Sequence, residues 1–242
     1  MKLEVLETTG ALAERGADVL AQELRAAVGD RGRATLAVSG GSTPGDLLAA
    51  LASRDLPWDH VHLVQVDERI APDGHPDRNL ELLRTCFLAQ RSLPAEHVHA
   101  MPVTATDLAA AAARYVDVLI RLAGYPPVLD VVQLGLGSDG HTASLVPDDP
   151  VLDVVDQDVA VTGTYEGRRR LTCTVPLLAR ARRRLWLVSG AAKAPALARV
   201  LAGDLTQPAA RLPQRDALWL VDRAAASQLT PPDDPTDQEE RP

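Results

Sequence analysis

The sequence predicts the α/β class: a mostly parallel sheet with helices on both faces. Three observations carry this expectation. Short apolar runs alternate with helix-period segments along the chain. The run Leu129 to Leu134 is almost wholly apolar, as suits a strand covered on both faces. Polar, mostly glycine-containing motifs follow four of the expected strands, and the carboxyl edge of a parallel sheet is where such folds place their ligands.

Taken in order, residues 11–28 read as a helix, with Leu12, Gly16, Leu20, Leu24 and Val28 near one face. Residues 34–39 form a short apolar strand that runs into Gly40-Gly41-Ser42-Thr43-Pro44. Thr43 is expected to cap the next helix, with Pro44 at its first position and Asp46 completing a capping box. That helix continues through Leu47, Leu48 and Leu51. A strand over 61–66 ends at Asp67-Glu68-Arg69, and a helix is expected over 79–89. Residues 104–123 form a helix on the spacing of Leu108, Ala112, Tyr115, Leu119 and Leu122. The strand 129–134 leads into Gly135-Leu-Gly-Ser-Asp-Gly-His141. Two further strands are expected over 158–162 and 170–175. A strand over 184–189 is followed by a helix that Gly190 opens and that runs to Val200. A strand over 217–221 closes the pattern. Residues 1–229 thus read as one α/β domain. The remainder, 230–242, reads as an acidic, proline-rich disordered tail.

Composition narrows the function classes. Of 242 residues, 46% are hydrophobic and 24% charged, with a net charge of −8. The tail holds Asp233, Asp234, Asp237, Glu239 and Glu240 against Arg241. The body offers no broad basic field, so nucleic acid is not expected as a partner. A small anionic substrate would need a local basic pocket. Cys86 and Cys173 lack metal or redox spacing and read as core residues in a reduced compartment. No segment has the length and apolarity of a membrane span, and Met-Lys-Leu-Glu-Val lacks a signal core, so the cytoplasm is expected. Separately, a monomer is expected. Lys2 and Lys193 are the only lysines. A lone interior lysine invites a specific role, because ammonium and guanidinium groups are not interchangeable.

Four motifs carry chemistry. Gly40, Gly41, Ser42 and Thr43 lie between a strand and a helix, where backbone N–H groups and hydroxyls could cradle a phosphate; an ordinary tight turn would look the same. The segment matches neither a dinucleotide fingerprint nor a P-loop. Asp139 and His141 place a carboxylate and an imidazole two residues apart in a glycine-rich turn, as an acid–base pair requires. The position two before Ser138 is Leu136, so the nucleophile elbow of serine hydrolases is excluded. Asp67 and Arg69 could meet a sugar and an anion, or form a solvated charge cluster. Arg168, Arg169 and Arg170 offer guanidinium forks for phosphate, or a basic hairpin turn. His60, His62, His97 and His99 come in i, i+2 pairs without a completing ligand set, so they read as structural or surface residues and no metal is expected.

Together, residues 39–44, 67–69, 78–79, 134–147, 170–174 and 189–194 resemble the glucosamine-6-phosphate isomerase/6-phosphogluconolactonase family. The segment Leu134-Gly-Leu-Gly-Ser-Asp-Gly-His-Thr-Ala-Ser-Leu-Val-Pro147 is the most specific match. Arg78 departs from the serine common in the family. The resemblance implies a Rossmann-like domain, no cofactor, and hydrolysis of 6-phospho-D-glucono-1,5-lactone, the second step of the oxidative pentose phosphate pathway. It implies His141 as general base, supported by Asp139. Asp67 and Arg69 would line the reacting end, and Ser42, Thr43, Arg170 and Lys193 would hold the phosphate. A glucosamine-6-phosphate deaminase would need a glutamate where Val146 stands. A non-catalytic sugar-phosphate-binding protein would not need both Asp139 and His141.

Overall fold

The computed structural model describes residues 1–91 and 93–229, leaving out the Ser42 side chain. The expected tail, 230–242, lies outside the described residues. Among the described residues, ten strands and six α-helices follow in the order β1 (Lys2–Leu6), α1 (Thr9–Arg31), β2 (Ala34–Val38), α2 (Ser42–Ala52), β3 (Val61–Gln65), β4 (Asp67–Arg69), α3 (Asn79–Leu83), β5 (Val98–His99), α4 (Leu108–Ala123), β6 (Val131–Gly135), β7 (Val159–Val161), β8 (Arg170–Cys173), α5 (Val175–Arg180), β9 (Arg183–Val188), α6 (Ala194–Leu201) and β10 (Ala217–Asp222). Among the described residues, no helix is long and apolar enough to cross a membrane.

Seven strands form one sheet in the order β1-β10-β9-β6-β2-β3-β5, and every neighbouring pair runs parallel. Alternate side chains feed two apolar layers. On β9 and β10, Trp186, Val188, Trp219 and Val221 join the layer under α4 and α6. Leu185, Leu187, Leu218 and Leu220 join the layer under α1 and α2. A sheet covered on both faces needs apolar residues at successive positions, and this is why its strands read as continuous runs. Trp186 and Trp219 face each other in register and stack at 4.1 Å.

The remaining strands form a second, antiparallel sheet in the order β4-β8-β7. The sequence predicts strands near 158–162 and 170–175 but not this separate sheet. It also passes over β1, β5 and the strand nature of Asp67–Arg69. Strand partners depend on distant residues, which local periodicity does not encode. Helix α1 is longer at both ends than the apolar spacing alone suggests. Thr8 caps its start through Ala11 N, and Gly32 ends it at φ 74°.

Candidate active site

The strand order reverses between β2 and β6, its neighbour on the other side. Loops leaving such a pair diverge and leave a crevice at their carboxyl ends. A cavity of about 230 Å³ opens there. Gly40, Gly41 and Thr43 reach it from β2, Asp67 and Arg69 from beyond β3, His141 from beyond β6, and Ser189 and Lys193 from beyond β9. The four strand ends singled out in the sequence therefore meet in one place.

At one end His141 Nδ1 lies 2.6 Å from Asp139 Oδ1, and the His141 amide donates to the same oxygen at 3.2 Å. The Tyr165 hydroxyl donates to Asp139 Oδ2 at 3.0 Å. Partial burial opposes ionisation of Asp139. The His141 charge and hydrogen bonds, with the Tyr165 hydroxyl, outweigh it and hold the carboxyl below its ordinary value. An ionised carboxylate only accepts, so Nδ1 carries the ring proton, and in the neutral imidazole Nε2 is the nitrogen left to act as base. Gly137 makes the pairing possible. A Cβ there would stand 2.1 Å from His141 Nδ1 and 2.4 Å from Asp139 Oδ1.

Asp67 is buried beside this pair. Ser144 Oγ donates to its Oδ2 at 2.6 Å, and Asn79 Nδ2 reaches its backbone carbonyl at 2.9 Å and Oδ1 at 3.3 Å. Burial pushes the Asp67 carboxyl up, against the Ser144 bond that pulls it down. Its neighbour Glu68 is fully buried and points the other way. It accepts from Gln65 Nε2 and from the amides of Arg69, Asn79 and Leu80. Arg78 Nε lies 3.2 Å from Glu68 Oε2 with both side chains buried. The Arg78-Asn79 pair thus braces the Asp67–Arg69 strand, Asn79 through Asp67 and Arg78 through Glu68. Arg69 Nη1 donates to Asp77 O at 2.7 Å. Its Nε is buried without a partner among the described residues, and the residue lines the cavity.

The other end is built from backbone and one ammonium. Helix α2 begins at Ser42, and its cap is Gly41 at φ 115°, with no side-chain cap bond. The expected Thr43–Asp46 capping box is therefore absent. Thr43 Oγ1 instead lies 3.0 Å from Ser189 Oγ, tying the β2 loop to the β9 loop. Gly40 packs so closely on Asn79 that a Cβ would come within 1.9 Å of its Oδ1. Lys193 closes a 3₁₀ turn, Ala191–Lys193, directly before α6. The placement of Ser42's side chain lies outside the described residues.

Of the three consecutive arginines, none lines this cavity. Arg168 pairs with Asp77 at 2.7 Å, and Arg169 Nε donates to Thr162 O at 3.3 Å. Arg170 lines a side cavity of about 40 Å³, with His141, Val146 and Tyr165 among its neighbours. Arg170 thus lines the cavity at the acid–base end, and Lys193 lines the one between the β2 and β9 loops. Val146 forms an apolar wall beside His141 where a deaminase would need a carboxylate. Sequence reasoning missed Tyr165, which no motif marks, and Ser144 and Ser189, which lie inside matched segments. It also missed that His62, His97 and His99 cluster, with His62 Nδ1 and His99 Nε2 3.2 Å apart. Among the described residues, no group of His, Cys, Asp or Glu is arranged to hold a metal ion.

Comparison with known proteins agrees with this geometry. The family model described as glucosamine-6-phosphate isomerases/6-phosphogluconolactonase matches residues 7–220. A 6-phosphogluconolactonase from Synechocystis is 40% identical over 95% of this chain and 99% of its own length. The solved 6-phosphogluconolactonase of Trypanosoma brucei superposes with a TM-score of 0.80 at 25% identity, covering 95% of this chain and 98% of that one. A monomeric glucosamine-6-phosphate deaminase superposes as well, with a TM-score of 0.82 at 22% identity over 94% of this chain and all of that one. The fold alone is thus shared by both activities. With its motifs, its sheet order and its match over residues 7–220, the chain belongs to the glucosamine-6-phosphate isomerase/6-phosphogluconolactonase family.

Proposed function

We propose that this protein hydrolyses 6-phospho-D-glucono-1,5-lactone to 6-phospho-D-gluconate. One observation carries the reading. A single cavity joins a cationic, N–H-rich end at Lys193 and the start of α2 to an imidazole whose Nε2 is free to take a proton. A phosphate at the first end receives charge from Lys193 and dipole and N–H donors from α2. Its binding energy then fixes the lactone carbonyl beside His141.

In this reading His141 Nε2 takes a proton from water as the water oxygen bonds to the lactone carbonyl carbon. Arg69 faces the negative charge that develops on the carbonyl oxygen. The ring C–O bond then breaks, and the imidazolium returns its proton to the departing oxygen. Asp139 stabilises the imidazolium and keeps the ring oriented. Asp67, fixed by Ser144 and Asn79, lines the same wall and orients a water or sugar hydroxyl.

Two features favour the lactonase over the deaminase. Val146 cannot exchange protons, and the Synechocystis relative carries the lactonase name at 40% identity. Side-by-side assays test the choice. The lactone should disappear faster than its spontaneous hydrolysis, and glucosamine 6-phosphate should release no ammonia. Ammonia release without lactone acceleration would overturn the reading.

A further inference from the structure

We propose that Tyr165 is a positioning residue for the Asp139–His141 pair, and that Arg170 holds Tyr165 in place and does not bind the substrate's phosphate. The inference rests on the lactonase reading for its kinetic tests. Tyr165 lies on the hairpin between β7 and β8, bridged to Arg168 across a turn at Glu166 and Gly167, both at positive φ. The turn lays the phenol against the catalytic loop. Its hydroxyl reaches Oδ2 of Asp139, the oxygen that His141 does not use. Its ring meets the imidazole edge-on, with centroids 5.5 Å apart. Asp139 is thereby held at both oxygens, so its carboxylate plane, and with it the aim of His141 Nε2, is fixed.

Arg170 completes the arrangement from behind. Its guanidinium carbon sits 4.9 Å from the centroid of the Tyr165 ring, in cation–π contact. Its Nη2 pairs with Glu166 at 3.3 Å, within the same turn. Arg170 is buried and lines the side cavity beside Tyr165 and His141, while Lys193 lines the cavity between the β2 and β9 loops. Burial, then the neighbouring Asp139 carboxylate, pushes the phenol up to about 12, so it stays a donor across the working range. The other charged groups around the pair are Asp67 and Arg69 from β4. Replacing Tyr165 by Phe leaves all of them in place.

Removing the hydroxyl takes a donor from Asp139. The carboxylate then holds more charge for the imidazolium, so the pair keeps its proton to higher pH. For Tyr165→Phe the expected result is a fall in kcat of about tenfold, as for the loss of one hydrogen bond to a charged group. KM should stay within about twofold by the same argument, since the phosphate end is untouched. The acid limb of the kcat/KM profile should move to higher pH. An NMR titration of the His141 ring should shift the same way, and this readout needs no substrate. For Arg170→Met, kcat should fall while KM and inhibition by inorganic phosphate stay put. The double variant should be no worse than the poorer single variant. Where Arg170→Met does not fold, Arg170→Lys serves, because it keeps the charge and loses the planar stacking. A wild-type kcat and an unmoved His141 titration in Tyr165→Phe would overturn the role of Tyr165. Raised KM and weakened phosphate inhibition in the Arg170 variant would return it to the phosphate. If the wild-type protein leaves the lactone at its spontaneous rate, the lactonase reading fails instead, and the NMR titration still decides the role of Tyr165.

Discussion

The two ends of the cavity are assembled differently. The proposed phosphate end is local: Gly40 to Thr43 follow β2, and Ser189 to Lys193 follow β9. The reacting end is composite. Asp139 and His141 come from one loop, but Tyr165 arrives from the β7–β8 hairpin, Ser144 from farther along, and Asp67 from a strand of the second sheet. Binding a dianion needs little more than N–H groups and a charge near a helix start. Moving a proton needs an imidazole held in one tautomer and one direction. The stricter geometry recruits more of the chain.

Substitutions at the two ends should separate these tasks. The largest effect is expected at the reacting end. His141→Ala removes the base and should lower kcat about 10³-fold, with KM little changed. Equal loss in both parameters, or near-normal turnover, would contradict its role. At the other end, Lys193→Ala should raise KM by about tenfold to a hundredfold, the worth of a charge-assisted bond to phosphate, and spare kcat. An unchanged KM would remove Lys193 from the phosphate site.

The brace between the ends is tested by stability. Arg78→Ala leaves Glu68 charged and buried, and unfolding by denaturant should show a loss of about 3 kcal/mol. The smallest effect lies away from the cavity. Burial, then His97, His99 and Arg33, holds the His62 imidazole down at about 4. An unfolded imidazole titrates near ~6.5, so the unfolded chain binds the proton first. Stability present above that value should decline as pH falls toward 4. His62→Asn should flatten the fall of Tm across this window. An equal fall in both proteins would place the effect elsewhere.

The same contrast explains what could be read from sequence. The α/β class, the parallel sheet and its helices were legible because apolar runs and helical spacing are local signals. The four strand-end motifs were legible because a parallel sheet brings such ends to one edge. The second sheet was not, since nothing near Asp67 announces that it pairs with Thr172. Tyr165 was invisible for the same reason: its hydroxyl meets Asp139 across 26 residues. Thr43 misled because a helix-cap residue and a loop-tying hydroxyl look alike until Ser189 is beside it. The stacking of Arg170 on Tyr165 was not legible either, because its partner sits on a turn that no motif marks.

The claim that one cavity couples these ends is tested most directly by comparing kcat/KM for 6-phospho-D-glucono-1,5-lactone and its unphosphorylated counterpart, in wild type and Lys193→Ala. The wild-type protein should strongly prefer the phosphorylated lactone, and Lys193→Ala should collapse that preference while both substrates still require His141. Equal rates for the two lactones in the wild-type protein would contradict the account.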